Sequence, residues 1–299
     1  HRAGCSWEYG IIAVPAAGQA VLRPERARHR QFVPVFATRH SRPDMYRRHV
    51  GDTMDFQGQV AFVTGAGSGM GRAIAIQFAR QGARVACADI NLPAAEQTVA
   101  QLPAGTGLAI YLDVTSEASV QAAIARAVET FGRLDILVNS AGIGPVRSWD
   151  ELTLEDWNRT LAVNLTGVFL CCKAVTPIMR RQRYGRIVNI SSIAGKQYSA
   201  IIGAHYGASK AGVIGLTRYL ARVLAPEGIL VNCVAPGTTE TPFSESYIGA
   251  AREIQLKNIP LGRFARPEEI ADAVLFLCSP RAAYITGETL NVNGGLLMD

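Results

Sequence analysis

The chain has 299 residues, of which 48% are apolar, and a formal net charge of +6. This composition excludes an intrinsically disordered protein and allows one or two domains with a sizeable core. Residues 1–53 hold nine Arg and four acidic residues, so they carry most of the excess charge, and we expect no nucleic-acid binding by the remainder.

Residues 1–53 form an Arg- and Pro-rich leader without sustained hydrophobic periodicity. Three interpretations compete: a transit peptide, a functional basic arm, or sequence upstream of the natural start. The four acidic residues and only two Ser of this leader disfavour a transit peptide. Met54 stands five residues before the first predicted strand. We therefore expect a disordered or non-native leader and a natural start at Met54.

The cysteines are scattered, without a CxxC motif or a His at metal-ligand spacing. This usage is typical of a reduced, cytoplasmic protein without a metal site. An uninterrupted apolar run of the roughly 18 residues that a membrane span needs is absent from the sequence, so we expect no membrane contact.

From residue 59 onward, short β-rich runs alternate with helical patterns. Strands that are apolar on both faces and separated by helices indicate a parallel sheet with helices on both sides. The sequence therefore predicts one α/β domain over residues 54–299, a doubly wound Rossmann domain with a central parallel sheet of about seven strands. The predicted strands are residues 59–64, 84–89, 108–112, 135–139, 185–191, 229–234 and 290–292, and the clearest helices are residues 69–81, 116–131 and 206–225.

A glycine-rich turn follows the first predicted strand and opens the first helix. Gly65 permits a tight turn, Gly69 lets the backbone approach a pyrophosphate, and Gly71 lets the helix pack on the strand. The helix N-terminus then offers free N–H groups to anionic oxygens. The alternative is an ordinary strand–helix turn, but the strand and helix on either side favour a dinucleotide site.

The second predicted strand ends at Asp89, 24 residues after Gly65. An acid there accepts hydrogen bonds from the adenosine ribose and repels a 2′-phosphate. Ser68 and Ile90 supply no cation that could hold such a phosphate. The sequence thus predicts NAD(H) rather than NADP(H), although Asp89 could instead cap the following helix.

Tyr206 and Lys210 stand four residues apart on a predicted helix, so their side chains share a face. A free phenol is a poor base at neutral pH, but a nearby ammonium stabilises the phenolate and lowers the phenol pKa. Tyr206 is therefore a candidate general acid/base. Its ordinary alternative is a half-buried aromatic residue beside a solvated lysine.

Residues 54–299 resemble the short-chain dehydrogenase/reductase family along their full length, and within it the 3-oxoacyl-acyl-carrier-protein-reductase-like subgroup. The order and spacing of several landmarks carry the resemblance. They are the glycine-rich turn at 64–71, Asp113-Val114, Asn139-Ser140-Ala141-Gly142, Asn164, Ile190-Ser191-Ser192, the Tyr206/Lys210 pair and the Pro236-Gly237-Thr238-Thr239-Glu240-Thr241 run.

The resemblance implies the catalytic roles. Tyr206 would be the general acid/base, and Lys210 would bind the nicotinamide ribose and tune Tyr206. Ser192 would hydrogen-bond the reacting oxygen, and Asn164 would hold a water in a proton relay.

The resemblance also implies the cofactor contacts. Asp113 and Val114 would face the adenine, and Asn139 would brace the central strands. Thr238 or Thr241 would contact a cofactor phosphate or carboxamide. The full set of predicted cofactor-binding residues is Gly65, Ser68, Gly69, Met70, Gly71, Asp89, Ile90, Asp113, Val114, Asn139, Ala141, Gly142, Tyr206, Lys210, Pro236, Gly237, Thr239 and Thr241.

Three positions depart from the family pattern. Ser140 replaces a usual Asn, and Asn293 stands where an Asp is frequent; both exchanges keep a polar side chain. Ser192 precedes Tyr206 by 14 residues, one more than is common, which predicts a slightly longer loop over the substrate. Ser191 competes with Ser192 for the role of the catalytic serine.

Three loop segments, residues 143–149, 194–205 and 238–259, are predicted to build a mainly apolar substrate pocket. They contribute Trp149, Tyr198, Ile201, Ile202, Phe243 and Tyr247, while His205 either faces the substrate or packs against a neighbouring subunit. The sequence therefore predicts hydride transfer between NAD(H) and a secondary alcohol or ketone.

Two alternatives to this function remain open. One is a 3-oxoacyl-thioester reductase, for which the cluster of Arg180, Arg181 and Arg183 would have to lie beside the pocket. The other is a non-catalytic NAD-binding sensor or scaffold. The resemblance further implies a homotetramer built from the helices at 116–131 and 164–180 and from the C-terminal segment.

Overall fold

The computed structural model describes residues 56–199, 201–249 and 252–299. They contain a seven-stranded parallel sheet in the order β3-β2-β1-β4-β5-β6-β7. The predicted doubly wound α/β fold is therefore confirmed. The strands are β1 Val60–Thr64, β2 Arg84–Asp89, β3 Gly107–Tyr111, β4 Ile136–Asn139, β5 Gly185–Ile190, β6 Ile229–Pro236 and β7 Thr289–Val292.

Helices connect the strands on both faces of the sheet. They are α1 Gly69–Arg80, α2 Leu92–Val99, α3 Glu117–Phe131, α4 Leu154–Leu161, α5 Gly167–Gln182, α6 Ala204–Leu224, α7 Pro242–Ile248, α8 Arg252–Asn258 and α9 Pro267–Cys278. A short π-helical segment, Ala162–Thr166, joins α4 to α5 without a break.

The sheet is buried on both faces, which explains why its strands read as continuous apolar runs. Every residue of β1, β4 and β5 is buried. One core cluster lies on the face covered by α3, α5 and α6 and includes Phe62, Leu137 and Ile187. The other lies on the face covered by α1 and α9 and includes Val63, Val138 and Val188. Alternate residues of one strand thus enter opposite cores, as the period of a strand requires.

Asp135 was predicted as the first residue of the fourth strand, but β4 begins at Ile136. Its carboxylate is fully buried and accepts hydrogen bonds from the Val60 backbone N–H at 2.9 Å and from the Arg133 guanidinium at 2.7 and 2.8 Å. The Asp135 backbone also donates to the Val60 carbonyl at 3.0 Å and accepts from the Arg186 N–H at 2.9 Å, so Asp135 ties the start of β4 to β1 and β5.

The helical run Leu154–Gln182 is long and apolar enough to cross a membrane by length and composition alone. Its apolar residues Val168, Cys171, Val175 and Met179 are buried in the core. Burial of these side chains against the sheet accounts for part of its apolar character.

Residues 1–55, including the predicted leader and Met54, lie outside the described residues. Within the described ranges the five cysteines are buried and free, and no group of three His, Cys, Asp or Glu side chains could hold a metal ion.

Candidate active site

Two adjoining cavities open at the carboxyl ends of the strands, where parallel α/β sheets place their ligands. The larger, about 530 Å³, runs along the ends of β1, β2 and β4 and is called the cofactor cleft here. The smaller, about 240 Å³, lies beyond the ends of β5 and β6 and is called the substrate cavity. Tyr206, Ser191 and Phe243 line both. A reaction centre at Tyr206 is therefore accessible from both cavities.

The glycine-rich turn forms one wall of the cofactor cleft. Gly65 and Gly69 have φ angles of +67° and +51°, in the left-handed region that favours glycine. A Cβ on Gly71 would lie 2.1 Å from the Gly65 carbonyl oxygen, so that position has no room for a side chain. No side-chain cap covers the start of α1. Its N–H groups are thus left for an anion, as the sequence predicts.

Arg72, in the first turn of helix α1, holds the glycine-rich turn in place through hydrogen bonds. The sequence did not predict this role. Its guanidinium donates hydrogen bonds to the Gly67 carbonyl and, at 3.1 Å, to the Thr98 hydroxyl. A cation in the first turn of a helix is unfavourable to the helix dipole. That unfavourable position is the sequence signal that could have indicated a structural role for Arg72.

Asp89 holds the same turn from the end of β2. Its carboxylate accepts hydrogen bonds from the Gly67 N–H at 2.8 Å and the Asn91 N–H at 2.9 Å, and it lines the cofactor cleft. Asn91, rather than Asp89, caps α2 by accepting from Ala94 N–H at 3.2 Å. The alternative reading of Asp89 as a helix cap is therefore wrong.

The end of β4 is joined to β1 by Thr64, which accepts hydrogen bonds from the N–H groups of Ser140 and Ala141 at 3.0 and 3.1 Å. Asn139 is buried and donates to the Asn189 side chain of β5 at 2.8 Å. Asn139 thus braces the central strands and does not line either cavity. Its inclusion among the cofactor-binding residues is corrected accordingly, since its side chain points into the interior between strands.

The structure brings most other predicted cofactor residues to one cleft. Those lining it are Gly65, Ser68, Gly69, Met70, Gly71, Asp89, Ile90, Asp113, Val114, Ala141, Gly142, Tyr206, Lys210 and Thr241. Pro236, Gly237 and Thr239 line the adjoining substrate cavity instead.

Asn164 lies in the π-helical segment between α4 and α5 and is fully buried. Its carboxamide accepts from the Ile143 N–H at 2.8 Å and donates to the Ile143 carbonyl at 2.8 Å and to the Ser209 hydroxyl at 3.1 Å. Both amide protons are thus used to fasten the loop after β4 to α6. A π-bulge often marks a functional site. The relay water implied by the family resemblance would have to bind another atom of this residue, such as its backbone carbonyl.

Tyr206 and Lys210 lie on the first turns of α6 with the lysine Nζ 5.7 Å from the centre of the tyrosine ring. Lys210 is 5% exposed, and its ammonium donates to the Ile190 carbonyl at 2.9 Å. Burial lowers the pKa of Lys210 to about 8. The ammonium can therefore serve the phenol as a neighbouring positive charge at neutral pH.

Ser191 and Ser192 are distinguished by their contacts. Ser191 is buried, and its hydroxyl donates to the Lys210 carbonyl at 2.8 Å, so its proton is committed to the protein. Ser192 is half-buried, accepts from the Ala194 N–H at 3.1 Å and lines the substrate cavity. This difference favours Ser192 for contact with a reacting oxygen.

The substrate cavity is lined by some, but not all, of the residues that the sequence predicts for it. Ile201, Ile202, Tyr198 and Phe243 line it, whereas Trp149 is 78% exposed and lines neither cavity. His205 does not face the substrate: it is fully buried, with Nε2 3.0 Å from the Pro145 carbonyl oxygen. The side chain of Tyr247 lies outside the described residues.

The burial of Lys210 predicts a pH-dependent stability. Between its folded pKa of about 8 and its ordinary value of 10.5, the unfolded chain holds a proton that the folded protein has lost. The free energy of unfolding of the wild type should therefore rise relative to that of Lys210→Met by about 2–3 kcal/mol between pH 8 and pH 10.5. Urea denaturation of both proteins across this range tests the expectation. A pH-independent difference would contradict it.

Comparison with known proteins shows where this arrangement recurs. Residues 65–297 match the family model described as enoyl-(acyl carrier protein) reductase. The chain is 42% identical over 248 residues to the 3-oxoacyl-(acyl-carrier-protein) reductase of Thermotoga maritima, covering 82% of this chain and 100% of the relative. It is 44% identical over 243 residues to the D-threitol dehydrogenase of Mycolicibacterium smegmatis, covering 80% of this chain and 92% of that one.

Among solved structures, the chain resembles a 3-ketoacyl-(acyl-carrier-protein) reductase from Brucella melitensis complexed with NADH. The TM-score is 0.77 at 35% identity, covering 81% of this chain and 99% of the other.

Proposed function

Because this chain belongs to the short-chain dehydrogenase/reductase family, as an oxidoreductase of the 3-oxoacyl-acyl-carrier-protein-reductase-like type, we propose that it interconverts a 3-oxoacyl thioester and a 3-hydroxyacyl thioester with NAD(H). The observation that carries the proposal is the 42% identity to a 3-oxoacyl reductase over that protein's full length. The generic secondary alcohol that the sequence ranked first becomes the second candidate.

The residues present fit a nicotinamide dinucleotide, because the cofactor cleft offers an open helix N-terminus and a position, Gly71, where a Cβ would fill the turn. NADH supplies the hydride when bound. In reduction the Tyr206 hydroxyl gives its proton to the substrate carbonyl oxygen, which becomes the alcohol oxygen. The Lys210 ammonium stabilises the phenolate that remains. Ser192 donates a hydrogen bond to the same oxygen as negative charge develops on it.

Cofactor choice follows from Asp89, whose carboxylate lines the cofactor cleft and would repel a 2′-phosphate. We expect NADH to bind at least tenfold more tightly than NADPH, a gap of about 1.4 kcal/mol. Asp89→Asn keeps an acceptor for the Gly67 N–H but loses the negative charge. It should therefore reduce the ratio of NADH to NADPH affinity to a few-fold. Nicotinamide fluorescence titrations measure both affinities.

Asp113→Asn is the matched control, because Asp113 lines the same cleft and its carboxylate bonds Thr115. It should leave the ratio of NADH to NADPH affinity unchanged. Tighter binding of NADPH by the wild type would overturn the role assigned to Asp89.

Binding of an acyl carrier protein would require a basic patch beside the substrate cavity. Arg180 and Arg181 lie in the last turn of α5, and Arg183 directly follows the helix, near the amino end of β5. The cavities open at the opposite, carboxyl ends of the strands, and Arg180 pairs with Glu227 at 2.8 Å. Two cations near the substrate cavity have acidic partners: Lys196 pairs with Asp299, and Arg252 at the start of α8 pairs with Glu240. These two pairs support thioester recognition through the acyl chain.

A secondary alcohol or polyol is the second candidate. It is supported by the D-threitol dehydrogenase among the relatives and by the amide side chains of Gln197, Gln255 and Asn258 around a cavity that is otherwise largely apolar. Hydroxyl groups of a polyol could pair with such amides.

One kinetic comparison tests the proposal. The kcat/KM for acetoacetyl-CoA with NADH is measured beside those for D-threitol and 2-butanol with NAD⁺. A value for acetoacetyl-CoA at least tenfold above the others supports the thioester reductase. A higher value for D-threitol would move the polyol dehydrogenase to first place. Tight NADH binding without turnover of any substrate would favour the sensor.

We also propose a cytoplasmic homotetramer. Between α3 and α5 the surface carries a groove of about 440 Å³ lined by apolar side chains that include Ile124, Leu170 and Ile178. A groove of this kind on two parallel helices is suited to packing against a second copy. Light scattering on the purified protein measures the oligomeric state, and a monomer at micromolar concentration would contradict the proposal.

A further inference from the structure

One residue that lines the substrate cavity has a buried polar atom without a hydrogen-bond partner. Among the described residues, several buried side-chain nitrogen and oxygen atoms make no hydrogen bond, and they belong to Gln81, Asn139, Thr160, Arg186, His205, Gln255, Thr289 and Asn291. Of these, Gln255 alone lines either the cofactor cleft or the substrate cavity. Its unpartnered atom is the amide nitrogen, Nε2.

The Gln255 carboxamide contacts Thr238 through its oxygen. The Thr238 hydroxyl donates to Gln255 Oε1 at 2.9 Å. Thr238 stands just beyond β6, and its carbonyl accepts from the Ala265 N–H at 3.0 Å, so the hydroxyl is carried by an anchored backbone. With the oxygen held in this way, the two N–H donors of Nε2 are the part of the amide left for a ligand.

In the structure no described group accepts a hydrogen bond from that donor. Three apolar side chains, Ile202, Phe243 and Leu296, line the same cavity. The other amides of the cavity, Gln197 and Asn258, are exposed and can bond water. A buried donor without a partner is unfavourable, and a ligand oxygen that accepts from it removes that cost.

We propose that Gln255 is a specificity-determining residue whose Nε2 donates a hydrogen bond to a second oxygen of the substrate, distinct from the oxygen that reacts at Tyr206 and Ser192. This inference rests on the proposed function for its reaction centre. In a 3-oxoacyl thioester the second oxygen is the thioester carbonyl, which accepts but cannot donate. The site thereby selects ketones that bear a neighbouring carbonyl over simple ketones of the same length.

The test uses a pair of ketones with equal chain length: ethyl 3-oxobutanoate, which has the second carbonyl, and 2-heptanone, which lacks it. Gln255→Met removes the amide at similar volume, and Gln255→Glu keeps an acceptor for Thr238 while losing the donor. Both variants should lower kcat/KM for the ester by about 10- to 100-fold, chiefly through KM, because the lost contact is present in substrate and transition state alike. For 2-heptanone the change should stay within about threefold.

Glu253→Gln is the control, because Glu253 lies on the same helix, α8, is exposed and lines neither cavity. It should alter neither substrate by more than about threefold. Equal losses on both ketones in the Gln255 variants would assign the residue a structural role. Weaker NADH binding would assign it to the cofactor, and no loss on the ester would remove it from the site; each of these results overturns the proposal.

Failure of the proposed function is a separate result. If the wild type prefers D-threitol to thioesters, the same variants are assayed with D-threitol and with 2-butanol, which lacks the further oxygens. A loss confined to D-threitol then upholds the role of Gln255 although the thioester assignment has failed. Equal losses on both alcohols overturn it.

Discussion

Tyr206→Phe should lower kcat about a thousandfold while leaving NADH affinity within twofold of the wild type. The substitution removes the phenol O–H and keeps the ring, which packs 6.1 Å from the Phe243 ring and 5.7 Å from Lys210 Nζ. A positioned general acid contributes about a hundredfold to ten-thousandfold to a rate. The loss of kcat therefore measures the missing proton donor and does not reflect unfolding. Single-turnover oxidation of bound NADH by acetoacetyl-CoA measures it.

Tyr198→Phe is the control for this prediction. Tyr198 lines the same cavity but is 76% exposed, so loss of its hydroxyl should leave kcat within about twofold. Thermal unfolding should give similar midpoints for the two variants. If Tyr206→Phe keeps more than a tenth of the wild-type kcat, the proton comes from another group, and the assignment of Tyr206 fails.

The fold could be predicted from the sequence because its main signal is local. Strands buried on both faces, such as β1 and β5, must be continuously apolar, and a helix must follow each of them for a parallel return. The prediction was less accurate at element ends. β6 extends to Pro236, two residues beyond its predicted end, and α6 begins at Ala204, two residues before its predicted start.

The start of α6 mattered for the site. With Ala204 as its first residue, His205 falls within the first turn and is drawn under the loop after β4, where it contacts the Pro145 carbonyl. The sequence alone left open whether His205 faces the substrate, because one residue of shift in a helix turns a side chain by about 100°. The position of His205 in the sequence was therefore insufficient to predict which way its side chain points.

The cofactor turn was predicted more completely than the residues that hold it. Glycines at fixed spacing show a need for close backbone approach, and that need is visible in the sequence. Arg72 and Thr98 are 26 residues apart and meet only after α1 and α2 have packed. The pairing of Thr238 with Gln255 is likewise set by tertiary contact between the β6 end and α8. Such contacts have no local signature, so sequence patterns could not reveal them.

The residues around Tyr206 form a connected support for it. Ser191 bonds the carbonyl of Lys210, Lys210 bonds the carbonyl of Ile190, and Asn164 bonds Ser209. The end of β5, the π-helical segment and α6 are therefore tied together at the reaction centre. Side chains held in this way lose little freedom when substrate binds, which is what positioning for proton transfer requires.

Gly71→Ala should abolish detectable NADH binding and lower the thermal stability. The added Cβ would lie 2.1 Å from the Gly65 carbonyl oxygen and 2.7 Å from its carbon. Both atoms are backbone, so they can move only if the turn opens and α1 shifts away from β1. Overpacking of this kind lowers the free energy of unfolding by about 1–3 kcal/mol. Here it also displaces the backbone N–H groups that would bind the cofactor. Fluorescence titration with NADH and thermal unfolding measure the two effects.

Gly215→Ala makes the same chemical change on α6 without the collision. Apart from the backbone of its own helix and its chain neighbours, no atom of the described residues lies within 4 Å of a Cβ built there, and the position is helical. Alanine in a helix interior is favoured over glycine by about 0.5–1 kcal/mol, so this variant should unfold at an equal or higher temperature and bind NADH as the wild type does. If Gly71→Ala also bound NADH within threefold of the wild type, the pyrophosphate could not lie against this turn, and the cofactor cleft would have to be assigned to another ligand.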